Sequence, residues 1–140
     1  MHLILCLDLH NGRLFNNRRQ SSDRYMHDDI MTQVGAHRLF ADQYTADQFD
    51  HMYRLAIFTD MSDGAPGVQD YFFLERGEVL SFLDKVRSII IYRWDKVYPA
   101  DVFLDTDALK NFSLQDKTEF EGYSHKTITK EVYRREAYVE

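Results

Sequence analysis

Arg13, Arg18, Arg19 and Arg24 fall within a stretch that contains a single acid, Asp23. Arg18 and Arg19 run directly into Gln20, Ser21 and Ser22. A guanidinium is a rigid fork of donors that grips a carboxylate or phosphate with two bonds at once. A helix starting just after Ser22 would add free N–H groups and its positive end to the same attraction. The segment reads as a site for an anionic small molecule: a phosphate, a nucleotide or a glutamate-like tail. The other reading is a solvated basic loop paired with Asp28 and Asp29.

Asp28-Asp29 is the strongest acid pair in the chain. An acid buried at the head of a helix can hydrogen-bond an amidine-like heterocycle edge, or donate a proton. First-turn acids also simply complement the helix dipole. Tyr92, Arg93 and Trp94 close an apolar run. They could line a pocket for a planar ring or pack in a core. His125 lies beside Ser124, but spacing assigns it neither a nucleophile nor an acid. Cys6 sits in an apolar strand with nothing nearby in sequence to lower its pKa, so it reads as an inert core residue. No C-x-x-C, H-E-x-x-H, EF-hand loop, Walker lysine or G-x-G-x-x-G occurs, so no metal or nucleotide motif stands out.

These groups need a scaffold. The chain has 140 residues, is 44% hydrophobic and carries a formal charge of -6. That suits one domain, 1–140, with a real core. The acidic balance argues against general nucleic-acid binding. No apolar run is long enough to span a bilayer, and Asp8 interrupts the N-terminal one, so neither membrane nor leader is expected. With a lone cysteine, the expected compartment is the cytosol.

Leu3–Leu7 is apolar on both alternating faces, as a buried central strand requires. His10-Asn11-Gly12 reads as a turn, and residues 13–22 as a loop. Ser22 or Asp23 caps a helix to about Val34, with Tyr25, Ile30 and Val34 inward and Gly35 as its stop. A short strand at 38–41 precedes a helix over 46–52 capped by Thr45. Further strands are expected at 53–59, 71–74, 88–94 and 102–104, with a loop at 60–69 and a helix at 78–86. The tail suits two strands, from Lys117 and from Lys126. The alternation implies an α/β fold: a mixed, mostly parallel central sheet flanked by short helices.

In this order of elements the chain resembles the dihydrofolate reductases, in a shortened and diverged form. LILCLDLHNGRLFNN is similar to their first strand, Asn-Gly turn and flexible loop. MHDDIM resembles the Pro-Glu-Asp-Leu stretch that supplies the ring-orienting acid, which matches Asp29, with Asp28 as alternate. HRLFADQYTADQF resembles the second strand and its Gly-Arg-Lys-Thr helix, with Thr45 at the threonine. The resemblance implies NADPH as a possible cofactor, and a ligand cleft walled by Arg18, Arg19, Gln20, Asp29, Thr45, Tyr92 and Trp94. The segment Leu74-Glu75-Arg76-Gly77 stands where the family has a glycine pair, and Gln43-Tyr44 where it has Arg-Lys. The implied function is therefore either a reductase of a pterin-like or nucleotide-like heterocycle, or a binding module without redox chemistry. A second resemblance, through Phe15–Ser21, is to short bacterial proteins labelled ribonuclease Z. None of the six histidines forms the H-x-H pair that a two-zinc nuclease needs.

Overall fold

The computed structural model describes residues 1–49, 56–57 and 65–136. Its strands are β1 (His2–Leu7), β2 (Gly12–Phe15), β3 (Arg18–Arg19), β4 (Leu39–Ala41), β5 (Ala56–Ile57), β6 (Tyr71–Phe73), β7 (Ser88–Trp94), β8 (Val102–Phe103), β9 (Phe112–Phe120) and β10 (Ile128–Arg135). The helices are α1 (Arg24–Val34) and α2 (Gln43–Ala46). The main sheet runs β5-β4-β6-β1-β7-β10-β9. Pairing is parallel from β5 through β7 and antiparallel at β10 and β9, so the sheet is mixed and mostly parallel. A smaller sheet, β3-β2-β8, lies beside it.

β1 is central because both its faces are apolar. Leu3, Leu5 and Leu7 pack with Ile89, Ile91 and Phe72 on one side. Ile4 packs with Ile90, Tyr92, Phe73 and Trp94 on the other, beneath α1. The face of α1 is Met26, Ile30 and Val34, four residues apart, and Tyr25 is 44% exposed. Tyr25 is one position off that stripe, which corrects the sequence expectation.

Other differences are local. Residues 13–22 are not a plain loop: β2 and β3 form a hairpin, pairing Leu14 with Arg19 and Phe15 with Arg18. Asn16 and Asn17 both take positive φ, which is the type I′ turn that favours asparagine. α2 is capped by Asp42, whose side chain accepts from the Thr45 amide, so Thr45 lies inside the helix and does not cap it. The helix expected at 78–86 is two 3-10 turns, Val79–Ser81 and Leu83–Lys85. Val79, Phe82, Leu83 and Val86 still face the core, whereas Leu80 is exposed. β9 begins at Phe112, earlier than Lys117. Of the strand expected at 53–59, positions 56–57 are strand, and the rest lies outside the described residues, as do 50–52 and 60–64. Among the described residues no helix is long and apolar enough to cross a membrane.

Candidate functional site

The parallel strands end on one side of the sheet, where open α/β sheets place ligands. Three acids, Asp8, Asp23 and Glu75, are buried there. Asp8 follows β1 directly. Its Oδ1 accepts from the amides of His10 and Gly12, both at 2.8 Å. Its Oδ2 accepts from Gln20 Nε2 at 2.9 Å and the Tyr98 amide at 3.1 Å. Burial opposes its charge, but these donors outweigh burial and hold the carboxyl below its usual range. Gly12 permits the arrangement: a Cβ there would meet Gln20 Nε2 at 2.6 Å and Asp8 Oδ2 at 2.7 Å.

Asp23 caps α1 and also receives the loop between β9 and β10. Its Oδ1 accepts from the amides of Tyr25 and Tyr123, at 2.9 and 3.0 Å. Its Oδ2 accepts from the Ser124 amide at 2.9 Å and lies 2.8 Å from His125 Nδ1. Burial opposes this charge too, yet His125 and the amides of Tyr123, Ser124 and Tyr25 hold the carboxyl well below the carboxylate range. The other imidazole nitrogen, Nε2, is 2.7 Å from Ser21 Oγ and 3.2 Å from Tyr98 OH. The ring stacks on Trp94, centroids 4.4 Å apart. Gly122 admits the loop: a Cβ there would lie 2.6 Å from the His125 carbonyl and 2.9 Å from Asp23 Oδ2.

Glu75, just past β6, binds Arg19 through both carboxylate oxygens, with Arg19 Nε 3.0 Å from Oε2 and Nη2 3.1 Å from Oε1. Gln48 Nε2 adds a bond to Oε1 at 3.1 Å, and its own Oε1 accepts from Ser22 Oγ at 2.9 Å. His27 Nε2 lies 3.0 Å from that same Gln48 oxygen. Burial pushes the His27 imidazole pKa down against Gln48, Glu75 and Asp23, which raise it. Two guanidiniums lie over the Tyr44 ring, with Arg19 at 4.1 Å and Arg76 at 3.5 Å from its centre.

Two hollows open among these groups. One, of about 550 Å³, is lined by Ser22, Arg24, His27, Asp28, Gln48 and Phe49. The other, of about 10 Å³, is bounded by Arg19, Gln20, Ser21, Glu75 and Trp94. Thus Arg19, Gln20 and Trp94 meet at the small hollow and Asp28 lines the larger one. Arg18 is exposed on β3. Asp29 is turned to the flank of α1, accepting from Tyr92 OH at 2.6 Å and Lys130 Nζ at 2.9 Å. Burial, then that carboxylate, pushes the Tyr92 phenol far up. Thr45 is fully buried, and among the described residues its hydroxyl has no hydrogen-bond partner. Among the described residues no three His, Cys, Asp or Glu side chains gather as a metal site.

Sequence reasoning passed over Asp8, His27 and Gln48, and left Glu75 as a departure from a pattern. The Asp8–Gly12 spacing carries a local turn signal. Asp23 and His125 are 102 positions apart, and no local signal joins them.

No protein-family model matches the sequence, and no curated protein matches it. Among solved structures, the chain is similar to the dihydrofolate reductase from Enterococcus faecalis complexed with NADP(H) and RAB-propyl. The TM-score is 0.67 at 8% identity, over 97% of this chain and 96% of that one. The fold is therefore dihydrofolate reductase-like.

Proposed function

We propose that this chain binds an anionic heterocyclic or nucleotide-like small molecule over the C-terminal ends of its parallel strands. The observation that carries the reading is the hollow of about 550 Å³ at the head of α1, where a ring-sized space meets Phe49, His27, Asp28 and Arg24. Phe49 offers an apolar face, His27 and Asp28 offer polar edges, and Arg24 offers a cation at the mouth. The finer form of the reading is an NADPH-dependent reductase of that heterocycle. In it, Asp28 meets the ring, and Asp29 steadies α1 through Tyr92 and Lys130.

The nicotinamide cofactor would supply hydride. Arg18 and Arg76 are the cations open to its phosphates. Glu75 counts against the usual cradle, because a side chain fills the place of the glycine pair and Arg19 is already spent on its carboxylate. That same substitution favours the alternative, a binding module without redox chemistry.

The test is thermal unfolding with millimolar NADPH, folates or nucleotides in turn. A ligand at about 100 times its Kd stabilises by about 2.7 kcal/mol, several degrees for a chain of this size. A shift with NADPH supports the reductase. A shift with nucleotides or folates alone supports the binding module. No shift with any of them removes both.

A further inference from the structure

We propose that Ser21, His125 and Asp23 form a nucleophilic centre that transfers short acyl groups from activated esters. This activity goes beyond the ligand reading above, although Ser22 and Asp23 also line that hollow. Ser21 Oγ lies 2.7 Å from His125 Nε2, and His125 Nδ1 lies 2.8 Å from Asp23 Oδ2. An ionised carboxylate can only accept, so Nδ1 carries the proton and Nε2 presents its lone pair to the Ser21 hydroxyl. That order of acid, imidazole and alcohol activates a serine on unrelated folds, and geometry is what identifies it.

The surroundings fit the same role. Stacking on Trp94, with planes 24° apart, fixes the imidazole plane. The side chains of His125 and Asp23 are 4% and 0% exposed, whereas Ser21 is only half-buried. The base and its orienting acid thus sit behind a nucleophile that reaches solvent. Tyr98 OH, at 3.2 Å, is a second and longer contact on Nε2. The amide of Ser22, the residue after the nucleophile, has no acceptor among the described residues. That N–H can donate to an oxyanion. The space beside Ser21 is only about 10 Å³, room for little beyond one water, so a short acyl group such as acetyl must come from the solvent side.

The chemistry closes with water as the only co-substrate. Ser21 Oγ bonds to the ester carbonyl carbon as its proton passes to His125 Nε2. The tetrahedral intermediate collapses, the C–O bond to the leaving alcohol breaks, and that alcohol takes the proton from Nε2. Water repeats the sequence on acyl-Ser21, releasing the carboxylic acid and restoring the hydroxyl.

The experiment treats the full chain with p-nitrophenyl acetate and, separately, with a fluorophosphonate probe followed by peptide mass mapping. The expected result is a burst of p-nitrophenolate, a mass increment on Ser21, and loss of both in Ser21→Ala. Asp23→Asn separates mechanism from structure. Asparagine caps helices about as well as aspartate, but its amide nitrogen faces the N–H donors on one oxygen, so a purely structural Asp23 loses folding stability and not the labelling rate of the folded protein. A catalytic one loses the orienting charge, and the labelling rate falls by about 10³-fold or more. His125→Gln gives the same slowing if Asp23→Asn does not fold. Folded wild-type protein that stays unlabelled, is labelled elsewhere, or hydrolyses the ester no faster than Ser21→Ala overturns the proposal. Wild-type labelling in a folded Asp23→Asn or His125→Gln protein overturns it equally.

Discussion

The two ends of the parallel strands both bury acids, but with different partners. At the C-terminal end, Asp8, Asp23 and Glu75 are buried and surrounded by donors from distant segments. At the N-terminal end, Asp70 pairs with Arg38 at 2.6 Å, and the Arg38 side chain is 58% exposed. A third hollow, about 700 Å³, is at that second end, among His2, Gln33, Tyr71, Arg87 and Arg134. Size alone would choose it. Desolvated charge chooses the other, because burying a carboxylate is costly unless every lone pair is satisfied. A fold that gathers three such groups on one side has invested its polar organisation there.

The comparison breaks most visibly at Glu75. The Glu75 and Arg19 side chains are 4% and 22% exposed. Glu75→Ala leaves a guanidinium with little solvent and strands Gln48, and the expected loss is about 3 kcal/mol in urea unfolding. Replacing both partners with leucine should recover most of that, since the residual cost lies in an unpaired charge and not in the missing bridge. If Glu75→Ala unfolds at the wild-type midpoint, the network is ornamental.

Gly122→Ala comes next. The added methyl presses on a backbone carbonyl and on Asp23 Oδ2 together. Overpacking of this kind costs about 1–3 kcal/mol. It should also slow any labelling of Ser21, because the His125 loop must move. A variant with unchanged melting and labelling would show that the loop is loosely held.

Acid supplies a graded test. Burial lowers the folded-state pKa of His27 below its ordinary 6.5. The unfolded chain then binds the proton first, so stability falls as pH drops below about 6.5. His27→Gln should flatten melting temperature between pH 7 and pH 5. His2, at the opposite end of the sheet, has a pKa lowered by burial and then by the N-terminal ammonium, and carries the same sign. An unchanged slope in His27→Gln would move the effect to His2.

The smallest effect belongs to Arg38→Ala, about 0–1 kcal/mol, because an exposed partner gains little from pairing. Burial opposes the Asp70 charge, but Arg38 and the Gly67 amide hold its carboxyl down to about 2. Their stabilisation is present above pH 4 and lost as pH falls toward 2. In Arg38→Ala that acid-dependent loss should shrink. A cost near that of Glu75→Ala would erase the distinction between the two ends.

Much of the scaffold was readable from pattern. The doubly apolar runs at 3–7 and 88–94 can only be central strands, and they pair directly, Leu5 with Ile91. Asp23 announces α1, because a cap acts within three residues. The hairpin at 12–19 was equally local, and Asn16-Asn17 was its available signal. Tyr25 and the 3-10 turns were misread because apolar spacings of three and four overlap over so short a span.

The site divides along the same line. The arginine-rich segment and the Asp28-Asp29 pair are visible in the chain, since residue types and short spacings are properties of the chain alone. What each group faces was decided by folding. Arg19 meets Glu75 from 56 positions away, Tyr92 claims Asp29 from 63, and His125 reaches Asp23 from 102. Periodicity records which side of an element is apolar, and so it determined the sheet. It holds no record of which loops meet once strands are stacked, and a hydrogen bond works only within about 3 Å. The pairing of donors and carboxylates, and with it any chemistry at Ser21, therefore exists only in the tertiary structure.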